Sequence, residues 1–229
     1  MKTYESEFWS SKRYNSDKYE HYFAIYDHLL SSKYGSDITF LEIGVQNGGS
    51  LEVAKKLFGI NSKIFGLDIN PNCKVLEAGG MANEIFIGSQ VDPACIKAIK
   101  ERVSQIDVVI DDGSHIQKHM VQSFLMLWPL LTENGIYIIE DTHTNYSPDH
   151  QESFYGIGLY DYFKGLSERL NIDFIDADAR KSRFKLPRDV RDPKKPSSEI
   201  TQEIFSIEFF DSVIAVRKKK KSEPLRIRR

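Results

Sequence analysis

Thr39-Phe40-Leu41-Glu42-Ile43-Gly44-Val45-Gln46-Asn47-Gly48-Gly49-Ser50 runs from an apolar, β-favouring stretch through three glycines into an amphipathic one. It reads as a strand turning tightly into a helix, with glycine where a Cβ would bar a sharp turn or close approach to a ligand. On its own, such a turn is equally a plain strand-to-helix connection. Outward from it the pattern repeats. Apolar runs at Thr39–Gly44, Lys63–Ile69, Glu84–Gly88, Ile106–Asp111 and Gly135–Asp141 predict strands. Ser50–Phe58, Pro93–Val103 and Ile116–Leu131 predict helices between them. Runs as continuous as Val108-Val109-Ile110 and Ile136-Tyr137-Ile138-Ile139 suit parallel strands covered on both faces. The expected fold is α/β, a doubly wound, mostly parallel sheet with right-handed crossovers. Ile204–Phe210 and Ser212–Arg217 predict a C-terminal antiparallel hairpin.

Ahead of this core, Tyr19, Tyr22, Phe23, Tyr26, Leu29 and Leu30 recur at helical spacing, with Ser16 or Asp17 expected as the cap. Residues 1–35 therefore read as a helical segment packing on the domain, 36–217 as the catalytic domain, and 218–229 as a basic tail. Past Pro148, Tyr155–Leu170 predicts a helix and Asp176–Ser198 a long polar surface loop. The 229 residues, 41% apolar and 28% charged, suit one globular domain. A formal net charge of −2 offers no global positive field, so no nucleic-acid partner is expected. The basic run Lys218 to Lys221 with Arg226, Arg228 and Arg229 has the ordinary reading of a solvated tail. Two cysteines, Cys73 and Cys95, are too few for a disulfide framework, and there is neither an apolar stretch of membrane-spanning length nor a signal-type leader. The expectation is a reduced, cytoplasmic protein with no membrane span.

The chemistry-bearing residues gather at predicted strand ends. Glu42 lies on the first strand, and Asp68 ends the second, 24 positions after Gly44, where a ribose diol would need a carboxylate acceptor. Asp111-Asp112-Gly113-Ser114-His115 leaves the fourth strand, and Glu140-Asp141-Thr142-His143 leaves the fifth. Carboxylates converging from adjacent strands repel unless protonated or bridged by a cation. Hard oxygen donors favour Mg²⁺, with Mn²⁺ next and zinc less suited despite the i, i+4 pair His115 and His119. The plainer alternative is helix capping by Asp112 or Ser114. His115 is placed to act as a base beside the acids, or else is a solvated histidine at a helix start. His143 and Tyr146 share the rim, where contact with an acceptor and simple packing both remain open, while His119 lies a turn deeper and reads as structural.

These residues resemble the class I S-adenosylmethionine-dependent methyltransferases, a Rossmann-like fold. The resemblance implies that the turn carrying Glu42, Gly44, Gly48 and Ser50 lies against the donor's amino-acid moiety. It implies further that Asp68 binds the ribose, that Ser89, Gln90 and Asp111 belong to the donor site around the adenine, and that an antiparallel strand closes the sheet. Asp-Asp-Gly-Ser-His followed by Glu-Asp-x-His-Thr-x-Tyr is similar to the Mg²⁺-dependent sugar O-methyltransferases of macrolide biosynthesis and to the cephalosporin hydroxylase/rhamnosyl O-methyltransferase group. That likeness implies Asp112, Glu140 and Asp141 as metal ligands and His115 as general base. It also implies a small-molecule sugar or glycoside acceptor and homo-oligomers. Ser16-Asp17-Lys18 resembles the group's Thr-Asp-Lys entry segment. The segment 148–200, where acceptor contacts would fall, departs from the pattern. Two other classes stay open: a hydroxylase of the cephalosporin type, with Asp112, His115 and His119 as a two-histidine, one-carboxylate triad, and a non-catalytic nucleotide-binding Rossmann protein.

Overall fold

The computed structural model describes residues 2–171 and 199–222. Its strands are β1 (Thr39–Ile43), β2 (Lys63–Asp68), β3 (Glu84–Ile87), β4 (Ile106–Asp111), β5 (Leu131–Ile139), β6 (Ile204–Phe210) and β7 (Val213–Lys218). They form one sheet in the order β3-β2-β1-β4-β5-β7-β6. The first five are parallel, β7 runs antiparallel to β5, and β6 antiparallel to β7. This is the doubly wound sheet with a terminal antiparallel hairpin that the sequence predicts. The helices are α1 (Tyr4–Ser10), α2 (Glu20–Leu30), α3 (Gly49–Leu57), α4 (Val75–Ala78), α5 (Pro93–Arg102), α6 (Gln117–Leu127), α7 (Leu159–Glu168) and α8 (Glu199–Glu203).

Strand side chains alternate between two apolar layers. Phe40, Ile64, Val108, Ile110, Ile136 and Ile138 face α1, α2 and α3. Leu41, Leu67, Val109, Tyr137, Ile139 and Ile214 face α5, α6 and α7. Burial on both faces is why these strands read as continuous apolar runs.

Several boundaries differ from the expected ones for local reasons. The helix expected over Ile116–Leu131 ends at Leu127, because Pro129 enforces a 3₁₀ turn over Trp128–Leu130. Strand β5 accordingly starts at Leu131, before the register irregularity opposite Ile106 and Val108. Helix α7 begins at Leu159 rather than Tyr155, since Tyr155 and Gly156 both take positive φ. Tyr19, not Ser16 or Asp17, is the N-cap of α2, without a side-chain bond. Residues 15–18 instead run on over the sheet edge as part of the cavity wall described below. The expected loop over Asp176–Ser198, and Arg226, Arg228 and Arg229 of the tail, lie outside the described residues. Among the described residues no helix is long and apolar enough to cross a membrane.

The register carries the consequence for function. Ile43 pairs with Leu67 and Asp111, and Asp111 with Ile139. The next residues, Gly44, Asp68, Asp112 and Glu140, therefore stand side by side along one sheet edge. The ladder extends past the strands through Gly44 N to Leu67 O at 2.8 Å, Asp112 N to Ile43 O at 2.9 Å and Glu140 N to Asp111 O at 2.9 Å. The order of strands reverses between β1 and β4, so this edge is also the topological switch point, where open α/β sheets bind ligands.

Candidate active site

A cavity of about 550 Å³ opens at that edge. Gly44 closes its floor. It has φ +84°, and a Cβ there would overlap the Asp112 backbone carbonyl, so only glycine lets the two strand ends come together. Gly48, at φ +83°, is the N-cap of α3. Gly49 is crossed by the Asn15 backbone, again leaving no room for a Cβ. The glycines thus serve two close chain crossings as well as the turn.

Of the residues expected to hold a methyl donor, Gly44, Ser50, Asp68, Ser89 and Gln90 line the cavity. Asp68 is pinned from two sides, accepting from Gln46 N and Asn70 N at 2.8 Å each. Gln90 works as a strut: its amide nitrogen donates to Asp111 Oδ1 at 3.0 Å and its oxygen accepts from Ser114 N at 2.8 Å. Glu42, Gly48 and Asp111 stand behind the wall rather than on it. Asp111 is fully buried and accepts from Ser123 and from the Tyr137 hydroxyl. Burial pushes its carboxyl up to about 6, with those bonds pulling the other way. Burial likewise raises Glu42 to about 8, against the pull of Lys18 and of Ser50, which donates to Oε2 at 2.7 Å. Glu42 Oε1 is buried and has no partner among the described residues. A donor molecule in the cavity would find a glycine turn that admits close approach and a carboxylate at Asp68, with Glu42 bracing Ser50 from behind the wall.

The acids from β4 and β5 do meet. Asp112 and Asp141 flank His115, whose Nε2 lies 3.9 Å from Asp112 Oδ1 and 3.8 Å from Asp141 Oδ2. Ligand atoms of Asp112, His115 and Asp141 lie within 4.8 Å of one another; the two carboxylates fit a hard divalent cation with the imidazole beside them, whereas Glu140, the third expected ligand, is not in that cluster. His115 and Asp141 both take left-handed backbone, φ +56° and +52°, strain of the kind that collects at functional sites. His115 Nδ1 is buried without a partner among the described residues. Glu140 is 1% exposed; Lys18 and Tyr26 each donate to one of its oxygens. Asp112 does not cap α6, whose N-cap Ile116 has no side-chain bond; Asp112 accepts from Lys18 instead. His119 is tied by Nδ1 to Ser114 at 2.9 Å, with its pKa lowered by burial. His143 is held by Ser212 at 2.5 Å.

Sequence reasoning placed Tyr22 and Tyr26 on a helical stripe and Lys18 in an entry segment, and gave none of the three a part in the site. Tyr22 donates to Asp141 Oδ1 at 2.7 Å and Tyr26 to Glu140 Oε1. The available signal is that the buried stripe of α2 uses tyrosine, not phenylalanine, at two positions one turn apart, which sends two hydroxyls inward from one face.

Residues 25–167 match the model of the family described as rhamnosyl O-methyltransferase/CmcI. The mycinamicin VI 2″-O-methyltransferase of Micromonospora griseorubida is 31% identical over 93% of this chain and 52% of its own length. The 8-demethyl-8-alpha-L-rhamnosyl tetracenomycin-C 2′-O-methyltransferase of Streptomyces olivaceus is 33% identical over 62% of this chain and 39% of its own. The chain thus spans about half or less of the curated relatives it matches. In structure it is similar to the MycE methyltransferase of the mycinamycin pathway in complex with Mg and SAH, with TM-score 0.73, 26% identity, and coverage of 95% of this chain and 54% of that one.

Proposed function

The chain belongs to the rhamnosyl O-methyltransferase/CmcI family, and on that premise we propose that it transfers a methyl group from S-adenosylmethionine to a hydroxyl of a sugar or glycoside. The observation that carries this reading is one cavity with two chemically distinct walls. Gly44, Ser50 and Asp68 supply a donor site on one side, and Asp112, His115, Glu140 and Asp141 an acidic rim on the other. Asp112, Glu140 and Asp141 would hold Mg²⁺, or failing that Mn²⁺. Such an ion supplies Lewis acidity, lowering the pKa of a vicinal hydroxyl.

The chain's own residues do the rest. His115 sits between Asp112 and Asp141, in reach of a hydroxyl bound at the rim, and takes its proton as general base. The flanking carboxylates stabilise the imidazolium that results. The crossing of the Gly44 turn under Asp112 holds the donor wall and the acidic rim next to each other, so that a methyl donor and a hydroxyl bound on the two would be brought together. Tyr146, 74% exposed, stands at the end of the turn that begins after Asp141, where it offers an aromatic face to an acceptor ring.

The test is a methyl-transfer screen of the full chain with radiolabelled S-adenosylmethionine and Mg²⁺ against rhamnosides and other deoxysugar glycosides, with calorimetry on S-adenosylhomocysteine alone. Label in the glycoside is the expected outcome. Absence of any S-adenosylhomocysteine binding would overturn the reading.

A further inference from the structure

Neither the donor site nor the proton transfer uses the ammonium of Lys18. Its side chain is 5% exposed, and it donates to Asp112 Oδ2 and, at 2.6 Å, to Glu140 Oε2. Burial pushes its pKa down, but Glu140 and Asp112 outweigh burial and hold it well above the usual lysine range. Tyr26 takes the other oxygen of Glu140, and Tyr22 takes Asp141 Oδ1. Only Asp112 Oδ1 and Asp141 Oδ2, the atoms that face His115, make no hydrogen bond to a described residue. Formally the three carboxylates carry −3 and Lys18 returns +1, leaving the −2 that a divalent cation cancels. Acids brought together at one sheet edge repel unless they are protonated or given a counter-charge, and Lys18 supplies one to Asp112 and Glu140.

We propose that Lys18 is a built-in counter-cation of the acidic rim, holding Asp112 and Glu140 together without metal and competing with a divalent ion for their oxygens. The proposal rests on the metal site put forward above. Lys18 is then a positioning residue whose removal weakens the metal-free fold and strengthens metal binding. A lysine that merely props the fold would do only the first.

The experiment compares the full chain with Lys18→Met and Lys18→Arg. Mn²⁺ affinity is measured by calorimetry, and thermal midpoints are measured in EDTA and in millimolar Mg²⁺. Lys18→Met is expected to bind Mn²⁺ about tenfold more tightly, as loss of a neighbouring positive charge demands. Its midpoint falls in EDTA and recovers in Mg²⁺, while Lys18→Arg keeps the affinity of the unaltered chain. Unchanged or weaker Mn²⁺ binding by Lys18→Met overturns the proposal. Should Lys18→Met fail to fold in EDTA, folding restored by Mg²⁺ supports it, and failure in both buffers overturns it. Mn²⁺ binding by neither the unaltered chain nor Lys18→Met also overturns it. S-adenosylhomocysteine binding, read separately, tests the methyl-donor reading and leaves this one untouched.

Discussion

Carboxylates one residue apart along the sheet edge meet different fates, and burial decides which. Glu42 and Asp111 are sealed behind the cavity wall, where water cannot solvate the charge, while Asp112 and Asp141 open onto it. For Glu42 the folded pKa of about 8 lies above its ordinary 4.5, so the folded state holds its proton more firmly than the unfolded chain. Its contribution to stability is complete below about pH 4.5 and is lost as pH rises through 8. Glu42→Gln mimics the protonated form, and its urea midpoint is expected to fall less steeply than that of the unaltered chain between those two values. A parallel pair of curves would show that Glu42 is not the group titrating. At the rim, His115→Ala removes the proposed base. It is expected to lower kcat about 10²–10⁴-fold while calorimetry finds S-adenosylhomocysteine affinity unchanged.

Helix α3 is an element whose start is set by something outside itself. Gly48 caps it and Gly49 is its first residue, and within a helix alanine in place of glycine ordinarily stabilises by about 1 kcal/mol. Here the Asn15 backbone lies where the Gly49 Cβ would go, and residues 15–19 form one lip of the cavity. Gly49→Ala is therefore expected to reverse the usual sign, costing about 1–3 kcal/mol by overpacking. It should also weaken S-adenosylhomocysteine binding by displacing the lip. Denaturant midpoints and calorimetry check both, and a stabilised variant with intact binding would show that the arm yields freely. Helix α2 is fixed from outside too: Tyr22 and Tyr26 reach the acids of β5 as well as packing in the core.

At the scale of the whole molecule, a seven-stranded sheet covered on both faces keeps its edge residues in register whatever sits in the cavity. With Lys18 already supplying positive charge, the fold should tolerate loss of metal while the chemistry does not. EDTA is expected to cut turnover by at least about a hundredfold, and Mg²⁺ to restore it, with far-ultraviolet circular dichroism unchanged. Full turnover in EDTA would take the metal out of the mechanism. The order of elements, the glycine turn and the acids at 112, 140 and 141 were legible in the sequence because each is local. Apolar runs mark strands, and in a parallel sheet every strand brings its C-terminal end to the same edge. Tertiary structure alone decided that these acids face the cavity while Glu42 and Asp111 do not, and what neutralises them. Lys18 reaches Asp112 across 94 residues and Glu140 across 122, and Tyr26 reaches Glu140 across 114. Spacing along a chain carries no record of such pairs; they exist because α2 and the segment before it pack against the sheet, and because a buried charge must find a partner wherever the fold brings one.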